Sequence, residues 1–354
     1  MKFGIFTELQ CMGKSEYQAY WELVRQAEQA DRLGYDSFWL AEHHFVRSFS
    51  ILAAPLTLHA ALAQRTRRIR LGMSVSTLPL CQPARLAAEA SVVDILSDGR
   101  LNLGVGRGHP WLYDGFNIPP EESRDRFQEN LEIILKAWTE ESFSYEGRFL
   151  KVKNLSVVPK PIQKPHPPLY MGCITPESFE GAARIGARIM LPSTMIASFG
   201  SLHEGLEIYE RLWQEGGKSL KDVTSVISTP VYVAESEQAA LSEAREPIMN
   251  YYKSVRDAAH VLISQFKEVP KSYQLYGNIL QLLDQLTYER VLEDHVLFGD
   301  PDMVVEKLRR IERSVGFTQH NSIMNFGGID HNLVMRSQKL FAQYVIPCFK
   351  SEPN

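Results

Sequence analysis

Glu42, His43 and His44 stand in a row behind the apolar run Ser37 to Ala41. A carboxylate and two imidazoles so placed can give or take a proton near neutral pH. The same three residues also suit a capping carboxylate with two hydrogen-bonded histidines. Adjacent side chains of an extended chain point to opposite faces, so the two histidines do not converge on one metal ion. A second group is Leu103-Gly104-Val105-Gly106-Arg107-Gly108-His109. This is G-x-G-x-G and not the dinucleotide pattern, because position 109 is His. Gly106 and its neighbours let a flat or charged ligand approach the backbone. Arg107 can pair with a phosphate through two nitrogens. A tight turn carrying a solvated arginine explains the same residues. A third group runs from Cys173 through Thr175 and Pro176 to Ser178. Thr175 reads as a helix cap with proline in the first turn, and a helix start rich in hydroxyls is a ready anion site. A simple cap is the plainer reading. Ser74 and Val75, in Leu71 to Pro79, are small enough to leave room for a planar ligand, or for neighbouring side chains.

Elements that end at these groups must position them. Eight short apolar runs read as buried parallel strands: Lys2 to Thr7, Ser37 to Ala41, Ile69 to Ser76, Leu101 to Val105, Leu169 to Cys173, Arg188 to Leu191, Val226 to Ala234 and Ser322 to Phe326. Helical stripes lie between them. Tyr20, Leu23, Val24, Ala27 and Ala30 recur at helical spacing before Gly34 as a stop. Phe127, Leu131, Ile134, Leu135 and Trp138 form another stripe, with Ser123 as its expected cap. Asp300-Pro301 opens a further helix, and the last spans about Asn332 to Tyr344. Eight alternations predict an α/β fold, a closed (β/α)8 TIM barrel; an open doubly wound sheet is the alternative. In a barrel the working end is where strands finish. A hairpin is expected over Phe143 to Pro159, turning at Gly147. Residues 251–298 are too long for an ordinary connection and read as a partly helical insertion in one single domain, 1–354.

Composition narrows the function classes. The chain has 354 residues, 44% hydrophobic and 23% charged, with 38 Lys+Arg against 42 Asp+Glu and a net charge of −4. That balance gives no sign of a nucleic-acid or membrane-surface partner. The basic run from Arg65 to Arg70 reads as a solvated helix-to-strand corner. The four cysteines, Cys11, Cys81, Cys173 and Cys348, show no zinc or disulfide spacing and fit a reducing cytoplasm. The polar start and the lack of a long apolar run predict neither a signal peptide nor a membrane span.

Taken together these segments resemble the bacterial luciferase-like flavin-dependent monooxygenases, especially the luciferase alpha subunit. The stretches that carry the likeness are Met1-Lys2-Phe3-Gly4, Leu33 through Phe45 with its Glu-His-His segment, and Leu96-Ser97-Asp98-Gly99-Arg100-Leu101. The last leads into Gly104 to Gly108, and Arg336 to Ala342 closes the match. The resemblance covers essentially the whole chain, and it implies a (β/α)8 barrel with FMN or the deazaflavin F420 at the C-terminal ends of the strands. It implies that His43 is the catalytic histidine, with Glu42 and His44 beside it. Arg107 would contact the flavin phosphate, with Thr175 and Ser178 in a second phosphate segment next to Cys173. Ser74 and Val75 would be joined by a cis peptide behind the flavin ring. Where luciferase has a reactive cysteine this chain has Gly106, which would remove a thiol and open space, so light emission is not implied. The implied reaction takes reduced FMN from a separate flavin reductase and O2 through a C4a-hydroperoxide to oxygenate a small organic substrate. F420-dependent hydride transfer and a non-catalytic flavin-binding subunit are the alternatives. The insertion would be a mobile lid, and the assembly a dimer.

Overall fold

The computed structural model describes residues 1–192, 199–264 and 274–350. Its strands are β1 (Lys2–Thr7), β2 (Ser37–Leu40), β3 (Arg70–Met73), β4 (Ser76–Thr77), β5 (Leu101–Gly106), β6 (Phe143–Glu146), β7 (Lys151–Leu155), β8 (Leu169–Gly172), β9 (Arg188–Met190), β10 (Ser225–Val233), β11 (Leu297–Gly299) and β12 (Gln319–Ile323). The order β10-β12-β1-β2-β3-β5-β8-β9 returns from β9 to β10, so the parallel sheet closes into a barrel. β4 continues the course of β3 along β5, and β11 adds to β10 from outside the ring. β6 and β7 form the expected hairpin.

The helices are α1 (Glu16–Leu33), α2 (Pro55–Arg65), α3 (Pro83–Leu96), α4 (Ser123–Thr139), α5 (Pro176–Ile185), α6 (Phe199–Glu215), α7 (Glu237–Ser264), α8 (Gln274–Asp284), α9 (Tyr288–Asp294), α10 (Pro301–Val315) and α11 (His331–Leu340). Gly34 ends α1 in the left-handed region (φ 84°), which costs glycine little. Asp300 caps α10 by accepting from the Met303 amide. The basic run is the corner between α2 and β3: the Arg68 guanidinium donates to the Asp31 carbonyl and Arg70 to Asn102 and Gln163.

Four sequence expectations change. Ser123 lies inside α4, whose cap position is Glu122, with no side-chain cap. The third strand breaks after Met73, and pairing resumes as β4 at Ser76, beyond the cis Ser74-Val75 peptide. The eighth strand lies at Gln319–Ile323, three residues before the expected start at Ser322. Gln319, His320, Asn321 and Ser322 are polar yet buried, and partners inside the barrel take up most of their hydrogen-bonding groups. Gln319 donates to Ser37 Oγ (3.0 Å) and Asn321 Oδ1 (2.9 Å), and His320 Nε2 pairs with Thr229 Oγ1 (2.7 Å). Finally, Tyr251 is not a boundary: α7 passes through it, with Pro247 inside the helix. Residues 265–273 of the expected lid lie outside the described residues. Among the described residues no helix is long and apolar enough to cross a membrane.

Burial sets a pH dependence of stability. It pushes His59 and His109 down to about 4 and His320 down to about 3, and it holds His43 well below the usual histidine range. Below pH ~6.5 the unfolded chain takes up protons that these folded sites refuse, so stability present above that pH is lost as pH falls. Each such group contributes a slope of about 1.4 kcal/mol per pH unit. Glu8, pushed up to about 7 by burial, and the less buried Glu210, raised the same way, act in the opposite sense but are outnumbered by the histidines. Urea unfolding is therefore expected to show a falling midpoint from pH 6.5 to 4.5; a midpoint that rises over that range would contradict the buried neutral histidines.

Candidate functional site

β2, β3, β5 and β8 are successive neighbours in the barrel. The residues just past their C-terminal ends therefore follow one another round a single rim: His43, then Ser74-Val75, then Arg107, then Thr175.

His43 is 6% exposed, and its amide donates to the Leu52 carbonyl at 3.0 Å. Its ring meets Phe49 edge-on at 4.7 Å and stacks on His109 at 5.3 Å, and His109 stacks in turn on Trp111 at 4.2 Å. Burial first, then the charges that His109 and His44 would carry, keeps His43 neutral. Its Nδ1 is buried and has no hydrogen-bond partner. A neutral, rigidly packed imidazole with one open nitrogen can accept or return a proton at one fixed place.

His44 pairs through Nε2 with Glu42 Oε1 at 3.1 Å. The other Glu42 oxygen accepts from Ser76 Oγ and the Thr77 amide, both at 3.2 Å. With both oxygens engaged, Glu42 braces β4 against the end of β2. Through these contacts Glu42 and His44 also support the loop that carries His43.

The cis Ser74-Val75 peptide packs against the glycines of β5. A Cβ on Gly106 would lie 2.5 Å from Val75 Cγ2, and one on Gly104 would lie 2.1 Å from the Met73 carbonyl oxygen. The space expected to open at Gly106 is thus already filled by Val75, whose branched side chain has little rotamer freedom. Gly106→Ala is expected to cost about 1–3 kcal/mol of stability through overpacking. The cost should shrink in a Val75→Ala background; an equal cost in both backgrounds, measured by urea unfolding, would break this account.

Arg107 is exposed, and among the described residues its guanidinium has no ion-pair or hydrogen-bond partner. Its carbonyl oxygen accepts from the Tyr113 hydroxyl. Thr175 caps α5 and is exposed. Ser178 Oγ accepts from the Ile174 and Thr175 amides, each at 3.0 Å, and donates to the Thr175 carbonyl at 2.6 Å. Its hydroxyl is therefore spent on shaping the turn. Cys173 is fully buried, its thiol directed at the Met171 and Ser178 carbonyls, and burial pushes its pKa up. Both residues set the loop that presents Thr175.

Within the rim lies a cavity of about 230 Å³. It is lined by Ser74, Phe49, His109 and Trp111, by Phe6 of β1 and Glu8 just past it, by Leu191, Ser228, Pro230 and Ile323 of later strands and their ends, and by Tyr251, Tyr252, Val255 and Ala259 of α7, Ile279 of α8 and His295. Sequence reading missed Glu8, Tyr251, Tyr252 and His295. Glu8 was open to the same rule as the others, since it directly follows the first strand. Its carboxyl is pushed up to about 7 by burial, against a hydrogen bond with Tyr251. The aromatics of α7 carry no such signal, because their stripe is that of any packed helix.

A family model described as luciferase-like monooxygenase matches residues 1–319. Two uncharacterized proteins of Sinorhizobium fredii are 35% and 37% identical over 185 and 190 residues. The matches take in 52% and 53% of this chain but 50% and 55% of those proteins, so the chain spans about half the length of these curated relatives. The oxygenase component of the flavin-dependent trigonelline monooxygenase of Acinetobacter baylyi is 26% identical, covering 92% of this chain and 90% of that protein. Among solved structures, the monooxygenase RslO1 of Streptomyces bottropensis superposes with a TM-score of 0.85 at 27% identity, covering 99% of this chain and 100% of the other. The oxygenating constituent of 3,6-diketocamphane monooxygenase of Pseudomonas putida, solved with FMN, gives 0.84 at 20% identity, with 100% of each chain covered.

Proposed function

The chain belongs to the luciferase-like monooxygenase family, and from that premise we propose that it is the oxygenase component of a two-component system that uses reduced FMN and O2 to oxygenate a small organic substrate. The observation that carries the reading is the buried, neutral His43, whose Nδ1 has no hydrogen-bond partner among the described residues, on the same rim as Ser74-Val75 and as Arg107, whose guanidinium has no partner among the described residues. These residues fit a flavin. The peptide backed by Gly104 and Gly106 offers a narrow face for a flat ring. The space over Gly172 is open, with no atom nearer than 3.9 Å to a Cβ placed there. Arg107 and the α5 N-terminus at Thr175 suit a terminal phosphate.

Bound in its reduced form, FMN would supply the electrons with which O2 is split, one oxygen atom going to the substrate and the other to water. The protein's part is placement and protection. Arg107 and Thr175 hold the phosphate end. His43 Nδ1 holds or releases a proton beside the reacting centre. The aromatic wall and the roof of α7 and α8 keep water out of the cavity, which delays wasteful loss of peroxide. The described parts of α7 and α8 act as the cover in this reading. A separate flavin reductase supplies the reduced FMN, a reading supported by the likeness to an oxygenase component.

Trp111 lies in the cavity wall and reports on ligands there. Titration without oxygen is expected to show its fluorescence quenched by reduced FMN and not by reduced F420. Quenching by F420 alone would instead assign hydride transfer to the same barrel.

A further inference from the structure

We propose that the cavity receives an organic cation, an amine or N-alkylated heterocycle with an apolar body, and that Glu8 is its counter-charge. The inference rests on reading this cavity as the substrate side of the flavin site. Glu8 Oε2 is buried and has no hydrogen-bond partner, while the rest of the carboxyl leans on Tyr251. Among the described residues lining the cavity there is no lysine or arginine. A carboxylate without a counter-ion is expensive to bury, so the ligand itself is the natural source of the missing charge. Much of the remaining wall is aromatic, with Phe6, Phe49, Trp111, Tyr251 and Tyr252 among aliphatic neighbours such as Leu191 and Ile323. Ring faces attract a cation and tolerate its alkyl substituents, and they do so most where water is excluded.

The groups facing Glu8 decide how binding follows pH. Tyr251 and Tyr252 are pushed far up by burial first and by the Glu8 charge second, so they stay protonated. His109, near 4, is neutral above pH 6. His295 reaches the same cavity. Glu8 loses its proton around 7, and only the carboxylate neutralises a cation. Affinity for a cation therefore rises with pH and levels off above Glu8's transition, about tenfold between pH 6 and 8.

The test uses benzyltrimethylammonium and its uncharged isostere neopentylbenzene as probes, followed by tryptophan fluorescence on the flavin-free protein. The cation is expected to bind more tightly than the isostere at pH 8 and about tenfold more weakly at pH 6. Glu8→Gln is expected to abolish the pH dependence and weaken the cation about tenfold or more, while still binding the isostere, which shows an intact cavity. The proposal falls if the isostere binds as tightly as the cation at pH 8, if cation affinity is flat or falls with pH, or if neither probe binds. A pH dependence that survives in Glu8→Gln overturns the role of Glu8. Reduced FMN titrated in parallel separates the two readings: its binding with no cation preference defeats only this proposal, and its failure to bind defeats the flavin reading.

Discussion

Replacing His43 with alanine is expected to leave binding of reduced FMN nearly unchanged while product formation per flavin oxidised falls by about a hundredfold or more, with peroxide released in its place. The size follows from the usual worth of a positioned acid or base, roughly 10²–10⁴-fold. The selectivity follows from the geometry. Binding is assigned to Arg107, Thr175 and the face over Ser74-Val75, none of which His43 contacts through a hydrogen bond. Proton handling is assigned to Nδ1, the buried nitrogen with no other partner. His43 also packs against Phe49 and His109, so His43→Gln, which keeps bulk and polarity, serves as the control for collapse of the stack. Coupling restored by glutamine to the parental value would show that packing, not the imidazole, matters. An alanine variant with parental yield would remove His43 from the reaction.

The second large effect is expected at Arg107. Its guanidinium has no partner among the described residues, so its removal breaks no internal contact and leaves stability within about 0.5 kcal/mol. A charge-assisted contact to phosphate is worth about 1.5–3 kcal/mol, so Arg107→Ala is expected to weaken FMN about ten- to a hundredfold. Riboflavin lacks the phosphate and should bind the variant and the parent alike. Equal losses for both flavins, measured by the same titration, would show that Arg107 does not read the phosphate.

The barrel was legible in the sequence because buried parallel strands leave apolar runs, and seven of these fall within a few residues of their observed places. The eighth was displaced because its first four residues are polar; hydropathy cannot see that Ser37 and Thr229 satisfy Gln319 and His320 inside the barrel. The rim order of His43, Ser74-Val75, Arg107 and Thr175 was legible from strand ends alone. Side-chain direction was not: nothing in the sequence says that the Glu42 carboxylate turns to Ser76 and Thr77, or that the Ser178 hydroxyl folds back on Thr175. Val75 filling the space over Gly106 is likewise a tertiary fact. Glu8 escaped notice because a single acid after a strand has no local pattern. Its meaning comes from Tyr251, which only the fold brings beside it.

The central claim, that this rim holds reduced FMN in a dry pocket for controlled reaction with oxygen, is tested most directly by an oxygen pulse. Protein and reduced FMN are mixed without oxygen, then exposed to ¹⁸O₂ with a panel of small organic substrates. Peroxide and labelled product are followed in time. The account predicts that peroxide release lags well behind that from free reduced FMN, and that a turned-over substrate carries one ¹⁸O atom. Immediate, stoichiometric peroxide at the rate of free reduced FMN, with no label in any product, would contradict it.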